Sequence, residues 1–374
     1  MSGHDGLPDH LDEAKVAAGS ACPKCGGPRY HGPFGATCPR CLLAVTADAD
    51  QVESPQIPGS AAVEALSAVE ARRFGHFEIM LRPDGSWWEL GRGSTGSTYR
   101  ALDTDLLMPV ALKLVPAARV EQLDSTPILL RDLGEVTKLR HPNIARLIHF
   151  GRRADGRGFL AVELAEGETL RDLVQRSGAL PVSFVLNVAE QVAQALVAAD
   201  ERGTVHGDLK PANLMLVAAA SEARPVVKVM DFGVGHWLNA RFAGTRGFAS
   251  PEQMAGRELD ARSDFFALGA TLYFLLAASV PEATPTTSKP DEPKRTARIR
   301  LSPLREAGVP DEVIAWLRQM LHPSPSRRPK DALDLLDSIS ALKSRLENSP
   351  QSSLSSPGTT SATWWRRLFG PPVA

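Results

Sequence analysis

Outside one short stretch this chain of 374 residues has no cysteine, because all four fall at Cys22, Cys25, Cys38 and Cys41. A disulfide framework spread over the whole fold is therefore excluded. Charge of one sign is missing too: 42 basic against 43 acidic residues leave a formal net charge of −1, so no polyelectrolyte field marks out a nucleic-acid or membrane partner. Residues 1–50 hold no basic run with interleaved aromatics of the kind nucleic-acid readers carry. Long hydrophobic runs are scarce. The one that invites a membrane reading, residues 265–280, is shorter than the about twenty residues of a span and holds Gly269, Thr271 and Tyr273, which fits a buried core helix instead. Residues 1–10 are polar and lack the apolar stretch of a secretory signal, so the expected address is cytoplasmic.

The cysteines themselves form two CxxC pairs, Cys22-Pro23-Lys24-Cys25 and Cys38-Pro39-Arg40-Cys41, with twelve residues between them. Each tight turn can aim two thiolates at one metal, the pattern of tetrahedral Zn²⁺ held by four thiolates. Disulfides are the alternative, disfavoured by a cytoplasmic address. His31 is surplus to a four-thiolate site. Residues 1–50 resemble a small zinc ribbon, too short to bury much core, whose folding energy would come from metal. Lys24, Arg29 and Arg40 give it mild positive charge; a docking or regulatory role suits it better than nucleic-acid binding. Residues 51–73 then read as a Pro/Gly/Ser-containing linker passing into a segment of helix-like composition.

The chemistry lies further on. His206-Gly207-Asp208-Leu209-Lys210-Pro211-Ala212-Asn213, followed by Asp231-Phe232-Gly233, sets an acid, a lysine, an amide and a second acid in the order that phosphoryl transfer needs. A carboxylate orients the attacking hydroxyl, while a carboxylate and an amide grip Mg²⁺. Upstream stand Gly91-Arg92-Gly93-Ser94-Thr95-Gly96, a glycine-rich turn whose N–H groups can approach phosphate oxygens, and Val110-Ala111-Leu112-Lys113, an alternating strand ending in a cation.

With these motifs in this order, residues 74–343 resemble the protein kinase family, with Lys210 following its serine/threonine pattern. The resemblance implies an α+β, two-lobed fold: a small antiparallel β-sheet lobe with one helix, a larger helical lobe, and ATP with Mg²⁺ between them. It implies that Asp208 steers the hydroxyl, Lys210 steadies the transferring charge, Asn213 and Asp231 hold Mg²⁺, and Lys113 positions the phosphates. Gly91, Gly93 and Gly96 would cover the phosphates. Thr98, Ala111 and Met215 would line the adenine slot beside Val162, and the backbone of Glu163 and Ala165 would meet the adenine edge. Asp132, nineteen positions after Lys113, stands where the family has the glutamate that pairs with that lysine; Glu135 is the alternative. Glu252 and Arg328 are expected to form a buried ion pair, and Asp264 to brace the catalytic loop.

Two departures point one way. Gly207 replaces the arginine that in many members receives an activation-loop phosphate, and residues 234–243 contain no serine, threonine or tyrosine. Activity without phosphorylation of that loop is the expectation. The functional expectation is transfer of the γ-phosphoryl of ATP to serine or threonine of protein substrates; the alternative is a pseudokinase scaffold acting by protein contacts. Residues 344–374 form a Ser/Thr/Pro/Gly-dominated tail, expected to be disordered, closed by Trp364-Trp365-Arg366-Arg367-Leu368-Phe369, a segment suited to a partner groove or a membrane surface and too short to span.

Overall fold

The computed structural model describes residues 16–21, 28–32, 35–37, 69–93, 96–118, 120, 127–217, 225–233, 247–282 and 299–348, giving backbone alone for 16–37 and 127–132. The four cysteines, the Asp132 side chain, the whole stretch 234–246 and the tail from residue 349 lie outside it. The chain divides into two compact units, Met1–Glu70 and Ala71–Ala374.

In the first unit β1 (Val16–Ala21), β2 (Pro28–Gly32) and β3 (Gly35–Thr37) form an antiparallel sheet. Ala21 stands opposite Pro28 and Thr37 opposite Tyr30. Both outer strands run antiparallel to β2, so the last residue of β1 stands opposite its first residue and the last residue of β3 opposite its middle one.

The second unit opens with a seven-stranded antiparallel sheet: β4 (Arg73–Phe74), β5 (Phe77–Ile79), β6 (Glu89–Gly93), β7 (Gly96–Asp103), β8 (Met108–Val115), β9 (Leu147–Arg152) and β10 (Gly158–Glu163). The order is β4-β5-β7-β8-β10-β9, with β6 sharing the β5 edge of β7. Alternation fixes its two faces. Val110, Leu112, Leu114, Phe159 and Ala161 point outward into a small cluster with Phe74, Phe77 and Ile79. Val115, Leu160 and Val162 point the other way, into the main core, where Leu133 and Val136 of helix α1 (Pro127–Lys138) and Leu139 just beyond it meet them.

The helical lobe hangs from α2 (Leu170–Ser177), α3 (Val182–Asp200), α4 (Pro251–Met254), α5 (Ala261–Ala277), α6 (Ser302–Glu306), α7 (Asp311–Met320) and α8 (Ala332–Glu347). α2 starts at Thr169, whose hydroxyl accepts from Asp172 N at 3.1 Å. α5 is the apolar run expected as a core helix. Phe265, Leu268, Leu272 and Leu275 are fully buried within it, and Asp260 caps its start. α3 is also long and apolar enough to cross a bilayer by length and composition. Its Val188, Val192 and Leu196 are spent in the same core, between α5 and α8. A second antiparallel sheet, β11 (Gly167–Thr169), β12 (Leu214–Val217) and β13 (Val226–Val229), lies under the junction of the lobes.

Candidate active site

Lys113, Asp208, Lys210, Asn213 and Asp231 meet where the sheet joins the helical lobe. Strand register explains the upper side. Thr98 and Leu160 both stand opposite Lys113, and Arg100 and Val162 both stand opposite Ala111. Directly opposed residues share a face, so Thr98, Ala111, Lys113 and Val162 all project from the core face. Lys113 is the only charged member of the buried β8 run, 5% exposed.

The glycine turn joins β6 to β7. Gly96 has φ +138°, and a Cβ there would lie 1.9 Å from the Leu114 carbonyl oxygen, so only glycine lets β7 lie this close to β8. A Cβ at Gly91 or Gly93 would meet nothing within 4 Å among the described residues. Their small size answers no packing demand of the protein itself, which suits a loop that must lie close to phosphates.

Below, residues 206–213 are held by buried polar bonds. Asp264 at the start of α5 accepts from His206 N at 2.7 Å and Gly207 N at 2.9 Å. Burial pushes its carboxyl up, against those donors. His206 accepts from Asp208 N through Nδ1 at 3.2 Å and lies 3.0 Å from Met230 O through Nε2, which assigns the proton to Nε2. Gly207 has φ +74°, the left-handed region that a glycine enters freely, and Gln253 Nε2 donates to its carbonyl. Lys210 Nζ sits 2.6 Å from Asp208 Oδ2. Asn213 Nδ2 donates to Asp208 O at 2.8 Å, leaving its acceptor oxygen as the end to offer a cation. Met230 N donates to Asn213 O at 2.8 Å, which fastens the residue before Asp231 to the same loop.

Asp231 closes the group in left-handed backbone, φ +55°. Its Oδ2 lies 2.7 Å from Lys113 Nζ. Burial raises the Asp231 pKa, although 31% of the side-chain surface remains open; the Lys113 ammonium more than offsets this, with His206 and Lys210, and holds the group below the usual carboxylate range. Where a helix acid was expected on Lys113, the described contact is with Asp231. Glu135 instead meets Lys138 at 2.7 Å.

Met215 lies on β12 opposite Thr169 and Lys228, half-buried. Glu163 ends β10, donates its N–H to Arg146 O at 2.8 Å and accepts Lys228 Nζ at 2.7 Å, which steadies the connection between lobes; Ala165 follows it, half-buried. The Glu252–Arg328 pair forms as expected, at 2.6 and 2.9 Å, with Ser263 Oγ 2.7 Å from Glu252 Oε1. Burial works to raise the Glu252 pKa, but Arg328 and Ser263 bring it down to about 2.

Two features escaped the sequence reading. The outer strand is interrupted by a hairpin in which Leu81 bridges Trp87, turned at Asp84-Gly85 with Asp84 Oδ1 accepting from Ser86 N at 2.9 Å; Arg82-Pro83-Asp84-Gly85-Ser86 is a turn signature that could have revealed it. Arg100, on the cleft face of β7, reaches Glu166 beyond β10 at 2.6 Å, and nothing local announces that pair.

Sheet, helical lobe and the polar side chains gathered at their seam define the class: a two-lobed α+β domain with an acid- and lysine-lined cleft. Residues 87–338 match the protein kinase domain family, and the chain belongs to it. Similar proteins include the serine/threonine-protein kinase pkn3 of Myxococcus xanthus, 28% identical over 291 residues, covering 71% of this chain and 52% of that protein. Pkn1 of the same organism is 32% identical over 275 residues, covering 71% and 37%; PknB of Mycobacterium leprae is 29% identical over 263, covering 66% and 40%. The chain thus spans about half or less of the length of these relatives. The kinase domain of Mycobacterium tuberculosis PknI shares the fold, with a TM-score of 0.58 at 23% identity over 72% of this chain and 97% of that one.

Proposed function

We propose that this protein transfers the γ-phosphoryl group of ATP to serine or threonine hydroxyls of protein substrates. The observation that carries the reading is the meeting of Asp208, Lys210, Asn213, Asp231 and Lys113 in one seam, linked by the bonds described above. The residues fit nucleotide and Mg²⁺: two oxygen-bearing side chains, Asn213 and Asp231, adjoin a buried lysine, beneath a turn whose Gly91 and Gly93 leave room for close approach. Bound Mg²⁺ would supply neutralisation of the phosphate charge. Asp208 orients the acceptor hydroxyl and takes its proton at a carboxylate oxygen; Lys210, beside it, steadies charge on the group in transit. The serine/threonine names of the relatives support the choice of acceptor. Incubation with Mg²⁺, γ-labelled ATP and a generic protein acceptor tests the reading beside Asp208→Asn. Label in the variant equal to that in the parent sinks it.

The finer parts of the reading rest on separate supports. Independence from activation-loop phosphorylation is supported by Gly207, which offers no cation to a phosphate, and is tested by phosphatase treatment, which should leave activity intact. Zn²⁺ at Cys22, Cys25, Cys38 and Cys41 is supported by the two CxxC spacings and by chain order: Cys22 follows the last residue of β1 and Cys38 the last of β3, two strands that run in the same direction. One equivalent of zinc in the purified protein, lost on Cys→Ser substitution, is the expected measurement. A second reading, a scaffold that binds nucleotide without turnover, is favoured by the Lys113–Asp231 contact, which occupies both groups with each other. Nucleotide binding without label transfer would select it.

A further inference from the structure

We propose that Trp364-Trp365-Arg366-Arg367-Leu368-Phe369 docks back onto its own large lobe, in a groove between α3 and β13. This inference rests on the fold and the tail sequence, not on the catalytic reading. The groove is a concavity of about 280 Å³ whose lining includes Pro142, Phe184, Val188 and Val226, with Glu190 and Gln194 among its polar residues. Pockets that enclose small-molecule ligands run from about 300 to 1,000 Å³, so this one suits a bulky side-chain anchor better than a cofactor.

Its walls are fastened before anything binds. Gln191 Oε1 accepts from Asn143 Nδ2 and from Val227 N, each at 2.8 Å, and its Nε2 donates to Pro225 O at 3.3 Å. One amide thus joins three chain segments around the concavity, and a preformed groove spares the occupant the ordering cost of building it.

The occupant is indicated by where the chain leaves the last helix. α8 runs antiparallel along α3: Ala332 N meets Asp200 Oδ2 at 3.3 Å near one end, while Lys343 Nζ meets Asn187 Oδ1 at 3.1 Å and Glu190 Oε2 at 2.6 Å near the other. Asn187 and Glu190 both line the groove. The chain therefore comes off α8 at its rim. Trp364 follows Asn348 by sixteen residues, enough to reach about 50 Å when extended, and the groove lies well inside that radius. Chemistry matches as well: two indoles, a leucine and a phenylalanine for the apolar floor, and Arg366 and Arg367 for a rim whose carboxylate already takes one cation, Lys343.

The test places photoreactive p-benzoylphenylalanine at Trp365 of the full chain and maps the products after illumination. Cross-links to residues 184–194 or 225–227 of the same polypeptide, at a yield independent of protein concentration, are expected. Most of that yield should be lost in Gln194→Lys, an exposed position whose change leaves Tm unaltered, and in the double variant Arg366→Glu, Arg367→Glu. Cross-links elsewhere or none, a yield that rises with concentration as for docking on a second copy, capture only when phosphatidylglycerol vesicles are added, or indifference to both variants would each overturn the proposal.

Discussion

Lys113 Nζ and Asp231 Oδ2, 118 residues apart in the chain, stand 2.7 Å from each other. One comes from the middle strand of the sheet and the other from the loop after β13, so this ion pair couples the two lobes at the point where phosphate and metal would sit. It also sets the ionisation of the acid. Burial alone would raise the Asp231 carboxyl, and the lysine reverses the sign.

Lys113→Met should therefore act twice. Loss of the phosphate-positioning charge is expected to lower kcat/KM by at least about a hundredfold, the scale of misplacing a reacting group by about 1 Å. With its main counter-charge gone, Asp231 takes up a proton more readily, so the acidic limb of the kcat/KM profile moves to higher pH. Steady-state assays across pH measure both. An unmoved acidic limb would mean that Lys113 does not control Asp231.

The glycine turn separates packing from ligand approach. At Gly96 an added Cβ would meet backbone, the Leu114 oxygen, which cannot swing aside, whereas at Gly93 it would meet nothing within 4 Å among the described residues. Gly96→Ala should lower Tm and nucleotide affinity together. Gly93→Ala should leave Tm within a degree or so while weakening ATP binding severalfold. Thermal unfolding beside calorimetric titration distinguishes the two.

Glu252 and Arg328 hold α4 to the segment before α8 through a pair whose side chains are 6% and 0% exposed. Removing one partner of a buried pair typically costs about 3–5 kcal/mol, since the other charge is left uncompensated, and Arg328→Met should show that loss in denaturant titration at pH 7. The pH dependence has a definite sign. The folded-state pKa of Glu252, about 2, lies below the ordinary 4.5, so its contribution is complete above about pH 4.5 and is lost as pH falls towards 2. At about 1.4 kcal/mol per pKa unit the contribution is roughly 3 kcal/mol. The stability gap between parent and Glu252→Gln should shrink over that window.

Much of this was legible in the sequence because the chemistry binds residues to fixed local spacings. Asp208, Lys210 and Asn213 lie within one loop, and Asp231 follows a strand that pairs with the one after that loop, so short-range order places them. The α5 core helix and the Glu252–Arg328 pair were readable for the same reason, each within a recognisable segment. The contact of Lys113 with Asp231 was not, because it depends on how the loop after β13 meets the sheet, and no local pattern encodes that placement. The hairpin at residues 81–87 had a local mark, Pro83-Asp84-Gly85. Arg100 and Glu166 are 66 positions apart and meet only because β7 and β10 flank β8 in the sheet.

That last pair yields a prediction of its own. Arg100 leaves β7 on the cleft face, lies 5.0 Å from the Trp88 ring centroid and reaches Glu166 Oε1 at 2.6 Å, so it ties a small-lobe strand to the connection leading into the large lobe. Its Nε is buried without a hydrogen-bond partner among the described residues, which offsets part of what the ion pair contributes. Glu166 is 66% exposed, and exposed pairs are worth at most about 1 kcal/mol. Arg100→Met, which keeps the packing on Trp88 and removes both the charge and the orphaned donor, should therefore change stability by less than about 1 kcal/mol. The larger effect falls on the cleft, because Thr98 and Lys113 sit on the same face one step along the register, and a small lobe freed from its tether opens more often. Nucleotide dissociation, followed by stopped flow with a fluorescent ATP analogue, should quicken by up to about fivefold, the equivalent of about 1 kcal/mol. Salt provides the control: raising ionic strength from about 0.05 to 0.5 M screens an exposed pair, so the parent should approach the variant while the variant barely moves. Equal rates in parent and variant at low salt would show that the bridge forms without restraining the lobes.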